Sequence, residues 1–401
     1  MTGVHKKQTS AEPQVAAMIF FLLTILTLYS LMHVYIFYKI KGALTLGMVA
    51  TSIVIFVMAL MISAPVMVHV SERNGLELLA RLMSCLGYTW MGLAFLFFLS
   101  SLAIDLYRLI VYAGGFVLRS DLSPLNPSPQ FALIVPLLVT AVIASYGFFE
   151  ARSIRTETLT IRSQKIPKEI GTLTIVQISD VHLGLIVRED RLKRILKEVR
   201  QAEPDILVCT GDLVDGQIDN LTGLAQLLQG IAPRYGKFAI TGNHEFFAGL
   251  DQALFFMRNA GFTILRGEAV NVAGIIIAGV DDPTGKRFGL SKQVSERALL
   301  SGLPRDRFTL LLKHMPVVDK NALGLFDLQL SGHTHDGQIF PFNLITRLFF
   351  PKNAGLFHLP SGSCLYVSRG SGTWGPPIRF LSPPEVTVIK VLHGNMHETT
   401  M

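Results

Sequence analysis

Apolar residues along this chain fall into two regimes that meet near residue 150. Before it lie four long runs, from about Val15 to Tyr38, Ala43 to Val68, Leu82 to Leu118 and Phe131 to Phe149. Each reaches the roughly 20 residues that a helix needs to cross a hydrocarbon core. Asp105 and Arg108 interrupt the third, which places the end of its membrane part near Ile104 and the charged pair at the interface. Pro65 and scattered Gly, Ser and Thr are ordinary in membrane helices. His33 reads as a helix contact rather than a proton relay. The first run is too long for the apolar core of a cleaved signal, and three more follow it, so it reads as a retained helix.

From about Ala151 the apolar runs shorten to strand length and charges become frequent. Leu173–Ile178, Asp205–Cys209, Lys237–Ile240, Phe262–Leu265, Val270–Val272, Ile275–Val280, Thr309–Leu312, Leu328–Leu330, Cys364–Ser368 and Glu385–Val391 predict strands. Arg191–Ala202, Leu221–Gly230 and Leu250–Ala260 predict helices. Early strands alternating with helices predict βαβ units, and the later strand-rich part the second half of a layered α/β sandwich. The expected order is a transmembrane four-helix region (1–150), a membrane-proximal linker with a first strand (151–170), an α/β domain (171–392) and a frayed tail (393–401).

Composition sharpens this division. Only 16% of the 401 residues are charged and 50% are hydrophobic, against about a quarter charged in a soluble domain. A plain soluble enzyme and a disordered chain are thereby excluded. Three separated cysteines, Cys85, Cys209 and Cys364, exclude a disulfide scaffold and a thiolate zinc cluster. Cys209 is expected in the core. The net charge of +7 gathers at span ends. Lys6, Lys7, Arg73, Arg81, Arg152, Arg155, Arg162, Lys165 and Lys168 lie on one side, and Lys39, Lys41, Arg108 and Arg119 on the other. The positive-inside rule puts both termini in the cytoplasm, with a bacterial inner membrane as the expected location. Anionic head groups of the lipid bilayer are the partner this charge suits. No basic stripe interleaves with aromatics, so no nucleic-acid partner is expected.

Four strings at the expected strand ends carry the chemistry: Ser179-Asp180-Val181-His182, Gly211-Asp212, Gly242-Asn243-His244-Glu245, and Gly332-His333-Thr334-His335-Asp336-Gly337 with Lys313-His314 upstream. Ligands in open α/β sheets gather at the carboxyl ends of strands, so residues far apart in sequence can share one crevice. Carboxylate, imidazole and amide oxygens together suit two borderline divalent ions, of Mn, Fe, Zn or Co. Such a pair activates water and neutralises phosphoryl oxygens during displacement at phosphorus.

These strings resemble the calcineurin-like metallophosphoesterases, whose five blocks (D-x-H, G-D, G-N-H-E, H and G-H-x-H) occur here in order. G-H-T-H-D-G-Q and the late S-R-G-x-G-T-W-G-P-P-I-R look like the bacterial membrane-associated, YkuE-like branch. The resemblance covers roughly residues 170–392 and implies a two-sheet β-sandwich flanked by helices. It implies Asp180, His182 and His335 as ligands of one metal, Asn243, His314 and His333 as ligands of another, Asp212 as the bridge, and His244 as the catalytic histidine. Glu245 and Asp336 are expected to orient imidazoles.

Two further stretches bear on substrate. The glycine-rich loop with Arg369, Gly370 and Gly372, and Arg379 beyond it, reads either as a phosphate cradle or as a turn needing positive φ. Residues 339–350, with Phe340 and Phe342, are unusually apolar for a segment beside a polar site. They read either as a lipid-facing lip or as a loop packed on the core. Asp281-Asp282-Pro283 reads as a turn, and His358, His393 and His397 as surface residues.

The leading expectation is a membrane-anchored dimetal phosphohydrolase acting on a phosphorylated lipid. A UDP-diacyl-sugar pyrophosphatase of lipid A assembly, as some calcineurin-like relatives are, and a phospholipid phosphatase are both examples. The alternatives are a tethered phosphodiesterase for soluble substrates such as cyclic nucleotides, and a non-enzymatic scaffold or sensor.

Overall fold

The computed structural model describes residues 11–216, 221–292 and 294–394. Lys6, Lys7, His397 and the tail beyond Gly394 lie outside the described residues. The chain divides into two units, Met1–Tyr146 and Gly147–Met401.

In the N-terminal unit the apolar runs become α1 (Ala11–Ala43), α2 (Met48–Arg73) and α3 (Glu77–Leu118), followed by α4 (Phe131–Glu150), which runs on into the second unit. All four are long and apolar enough to cross a membrane. Their outward side chains are large and apolar, as a lipid solvent requires. Small residues let α2 and α3 approach closely, since a Cβ on Gly87 would lie 2.4 Å from the Cβ of Ala64. Trp90 donates to His33 Nε2 at 2.8 Å, so His33 is a contact between helices. Asp105 accepts from Tyr35 at 2.6 Å and pairs with Lys39, and α3 continues unbroken past it.

The C-terminal unit begins inside α4. Gly147 accepts from the Arg379 amide at 3.0 Å, and Glu150 Oε2 accepts from the Leu381 amide at 2.9 Å, so the helix's last turn belongs with the domain that follows. The chain then forms β1 (Arg155–Ser163), β2 (Thr172–Ile178), α5 (Glu189–Gln201), β3 (Ile206–Cys209), α6 (Thr222–Gln229), β4 (Lys237–Ala239), α7 (Asn243–Phe247), α8 (Leu250–Asn259) and β5 (Thr263–Ile264). The second half supplies β6 (Glu268–Val272), β7 (Ile275–Gly279), α9 (Thr284–Arg287), α10 (Glu296–Ser301), β8 (Thr309–Leu312), β9 (Leu328–Ser331), α11 (Phe342–Phe349), β10 (Gly355–His358), β11 (Cys364–Val367) and β12 (Glu385–His393).

Two six-stranded sheets result, ordered β1-β12-β2-β3-β4-β5 and β10-β11-β9-β8-β7-β6. Ile175, Ile206, Val208, Ile277, Leu310, Leu330 and Tyr366 are buried together where the two sheets face. Continuous apolar strands follow from burial on both faces. On the outer face of the first sheet, α5, α6 and α8 contribute Leu192, Ile195, Leu228 and Met257 to a second core. Their apolar stripes at helical spacing leave no other face for them to bury. The parallel register of β2, β3 and β4 brings the ends of these strands to one edge, and β8 and β9 do the same in the second sheet.

Candidate metal centre

The residues that follow β2, β3, β4, β8 and β9 supply every expected ligand, and the structure gathers them. Asp180, His182 and His335 form one cluster, and Asp212, His314 and His333 another, each with ligand atoms within 4.8 Å of one another. Asp212 joins the two. Its Oδ1 accepts from the His244 amide at 2.9 Å. Its Oδ2 lies 3.9 Å from His182 Nε2 and 3.2 Å from His314 Nε2. A single oxygen therefore faces both clusters. The Asn243 amide oxygen is 3.1 Å from His314 Nε2 and 3.0 Å from His333 Nδ1.

Local geometry explains the glycines beside the ligands. A Cβ on Gly242 would sit 2.1 Å from Asp212 Oδ1, and one on Gly332 would sit 2.1 Å from Asp180 Oδ2. Asp180, His182, Asp212, His333 and His335 themselves have positive φ, between 50° and 74°. Each such non-glycine residue costs on the order of 1 kcal/mol or more, and the surrounding hydrogen bonds hold it there. Glu245 is part of that restraint. Its carboxylate accepts from the amides of Asp212, Leu213, Val214 and Gly242. This corrects the expectation that it orients an imidazole: four converging N–H groups outcompete any ring. Asp336 likewise accepts from Asn353 Nδ2 at 2.7 Å rather than from a histidine.

The donor set fits divalent cations. His314 Nδ1 bonds to the Thr210 carbonyl at 2.8 Å, which places the proton of a neutral ring on Nδ1 and leaves a lone pair at Nε2. That lone pair faces the oxygens of Asp212 and Asn243 and, at 3.2 Å, His333 Nδ1. Too few protons are available to join four acceptors, and a cation satisfies all of them. Burial disfavours the charged ring, but the Asp212 carboxylate beside it holds the His314 pKa well above the ordinary imidazole range. In the other cluster, burial and then the charge on His244 lower His182 to about 4, which keeps it neutral and ready to bind metal.

His244 is different from these ligands. Its Nδ1 lies 2.7 Å from Asp215 Oδ1. Burial favours the neutral ring, but Asp212 and Asp215 raise its pKa to about 9, so it is a cation at neutral pH. The reading of the sequence missed Asp215. It stands three residues after Asp212, and the spacing in G-D-L-V-D was the available signal.

The glycine-rich loop turns out to be a brace and not a phosphate cradle. Arg369 pairs with the half-buried Glu157 and with Glu385, whose buried carboxylate requires a counter-charge. Arg379 is fully buried and donates to the carbonyls of Gly370, Gly372 and Ser382. The Ser371 and Gly372 amides donate to the carbonyls of Ser179 and Asp180, so the loop holds the first metal-binding string from behind. Gly372 has no room for a side chain, since a Cβ would lie 2.0 Å from the Val181 carbonyl. Among the turn and surface expectations, Asp281 pairs with Arg266, Asp282 caps Thr284, and His393 bonds to the Ile166 carbonyl. Cys209 is buried in β3.

Aromatic rings surround the polar crevice. Phe247 and Trp374 lie 5.6 and 5.9 Å from the His244 ring, and Phe350 lies 5.2 Å from the His333 ring. Phe247 and Trp374 are more than half exposed, as Phe340 and Phe342 nearly are. Residues 342–349, read from the sequence only as an apolar stretch, form α11.

A family model for the calcineurin-like phosphoesterases matches residues 173–337. An uncharacterized metallophosphoesterase of Aquifex aeolicus is 43% identical, over 64% of this chain and 98% of its own length. A Danio rerio protein described as a transmembrane protein with metallophosphoesterase domain is 33% identical, over 64% of this chain and 62% of its own. The uncharacterized metallophosphoesterase YkuE of Bacillus subtilis is 32% identical, over 62% of this chain and 91% of its own.

Proposed function

We propose that this chain, which belongs to the calcineurin-like metallophosphoesterase family and is a membrane protein that hydrolyses phosphoesters, acts on a lipid-linked phosphoester or pyrophosphate. The observation that supports the lipid is the rim of exposed Phe247 and Trp374 beside His244, continued by Phe350 beside His333. An acyl or prenyl chain loses water-exposed surface against such a rim; a nucleotide base would stack on the same rings, so the two substrate classes are assayed against each other. Substrates of the UDP-diacyl-sugar or phospholipid kind meet this description.

Two divalent ions, of Mn, Fe, Zn or Co, suit the donors. Asp180, His182 and His335 would hold one, Asn243, His314 and His333 the other, with Asp212 Oδ2 facing both. Bound there, the metals would supply Lewis acidity to the phosphoryl oxygens. The chain's own groups do the rest. Asp215 holds the His244 ring through Nδ1 and keeps it protonated, leaving Nε2 to bond a phosphoryl oxygen or to protonate the leaving oxygen. The aromatic rim lowers the local dielectric around these charges, which strengthens them. We place the catalytic unit on the cytoplasmic face of a bacterial inner membrane, because Arg73, Arg81, Arg152, Arg155 and Arg162 gather on its side of the spans.

Full-length protein in lipid nanodiscs, assayed with Mn²⁺ against a UDP-diacyl sugar, a phospholipid monophosphate and a cyclic nucleotide, tests this reading. Turnover of a lipid-linked compound is expected, abolished by chelation and by Asp212→Ala with loss of bound metal. Turnover of the cyclic nucleotide alone would replace the lipid reading with the soluble one.

A further inference from the structure

Helix α11 buries none of its residues. Leu344, Ile345, Leu348 and Phe349 are all exposed, the last two by 79% and 75%. Their i, i+1, i+4, i+5 spacing puts them on one face of the helix. An apolar face this open needs a covering partner.

The hydrogen bonds around α11 indicate which partner. Residues 378–381 form a short segment, bridged at Phe380 and turning at Leu381, with a neighbour on each side. On one side, the Arg379 and Leu381 amides bond to Gly147 and Glu150 in the last turn of α4. On the other, Phe380 donates to the Gln338 carbonyl at 2.9 Å and accepts from the Phe340 amide at 3.0 Å. Residue 340 leads directly into α11. The approach to α4 is close, since a Cβ on Gly147 would lie 2.8 Å from the Arg379 carbonyl oxygen. α4 is a candidate membrane span over its whole length, Phe131–Glu150. Two rungs of backbone hydrogen bonds therefore tie the start of α11 to the end of a membrane helix. At the same level the Arg152 guanidinium lies over the Phe148 ring, a pairing suited to the membrane–water interface. Arg347 on α11 is exposed, and Leu381, in the connecting segment, adds a further exposed apolar side chain.

We infer that the Leu344–Ile345–Leu348–Phe349 face of α11 inserts into the bilayer at the boundary of head groups and acyl chains, holding the metal-binding loop at the lipid surface. The occupant is phospholipid: the tether comes from a membrane span, and Arg347 offers a cation to anionic head groups. His333–Gly337 lies immediately before this anchor in the chain, so the crevice and the lipid surface meet at α11. The inference depends on membrane anchorage and is independent of which substrate is cleaved.

Full-length protein carrying Cys85→Ala and Leu348→Cys, labelled with an environment-sensitive fluorophore in phosphatidylcholine–phosphatidylglycerol nanodiscs, tests the insertion without any substrate. Cys209 and Cys364 are buried and leave position 348 as the labelled site. Lys197→Cys on the exposed side of α5 serves as the aqueous control. At 348 a blue-shifted emission, quenching by nitroxide-labelled lipid and loss of iodide quenching are expected, with the reverse at 197. Iodide quenching at 348 equal to that at 197 would overturn the inference. So would shielding from both iodide and lipid nitroxide, which would identify a second copy of the chain as the cover. Adding Phe349→Glu to the labelled protein should restore iodide quenching at 348; shielding that survives it would also count against insertion. Because no turnover is read, failure here leaves the lipid-substrate reading standing, and failure of that reading leaves the insertion standing.

Discussion

Asp215 separates two jobs that the histidines of this crevice perform. His182, His314, His333 and His335 face carboxylate and amide oxygens from close range, whereas His244 is held by a carboxylate outside the ligand clusters. Asp215→Asn keeps the shape and removes the charge. It should lower kcat by about 10²-fold, the lower end of general acid–base contributions, with metal content and KM unchanged. Metal analysis beside steady-state kinetics checks it, and an unchanged kcat would remove His244 from the chemistry. The ligand residues were legible because each is a metal-type side chain in a short string just after a strand, three of them (Asp212, Asn243 and His333) next to a glycine. Asp215 was not, because a carboxylate three residues along a loop becomes a partner only when α7 brings His244 over it.

The glycine-rich loop shows how an element's composition can mislead. Glycines and arginines near a phosphate-cleaving site suggest anion binding, yet the amides of this loop bond to the carbonyls of Ser179 and Asp180, and its arginines are committed to internal acceptors. Arg379→Met would remove the guanidinium from the buried Gly372 and Ser382 carbonyls and from His335 Nδ1, while Gly370 keeps the Glu385 amide. We expect a loss of about 3 kcal/mol in the stability of the catalytic unit, read by chemical denaturation, because an uncompensated buried polar network costs that much. Unchanged stability would return Arg379 to the list of substrate contacts. α11 escaped detection for a related reason. Its apolar residues run on from Ile339 and Phe340, so two turns of amphipathic helix read as one continuous apolar stretch.

At the scale of the whole chain, the spans and the catalytic unit share one continuous element, α4, and the unit boundary falls inside it. Orientation can be tested there. With Cys85 replaced by Ala, a membrane-impermeant thiol reagent should label Lys197→Cys only after inner-membrane vesicles of the cytoplasm-in orientation are opened. Labelling in sealed vesicles of that orientation would invert the proposed topology.

The sequence alone determined the four apolar helices, the alternation of strands and helices after them, and the set of metal-type residues. Each of these rests on local periodicity or on a residue type that few other roles require. Three features were decided by the tertiary structure. Only Oδ2 of Asp212 faces both clusters, because Oδ1 is occupied by the His244 amide. The arginines expected to hold substrate are internal braces, because the buried Glu385 carboxylate and buried carbonyls lie within their reach. The apolar segment after the last ligands is tied to the last turn of α4, because residues 338–340 and Gly147 bond to 379–380 through the backbone and Glu150 accepts from the Leu381 amide through its carboxylate. Contacts between residues more than 200 positions apart, such as Gly147 with Arg379, have no trace in local pattern.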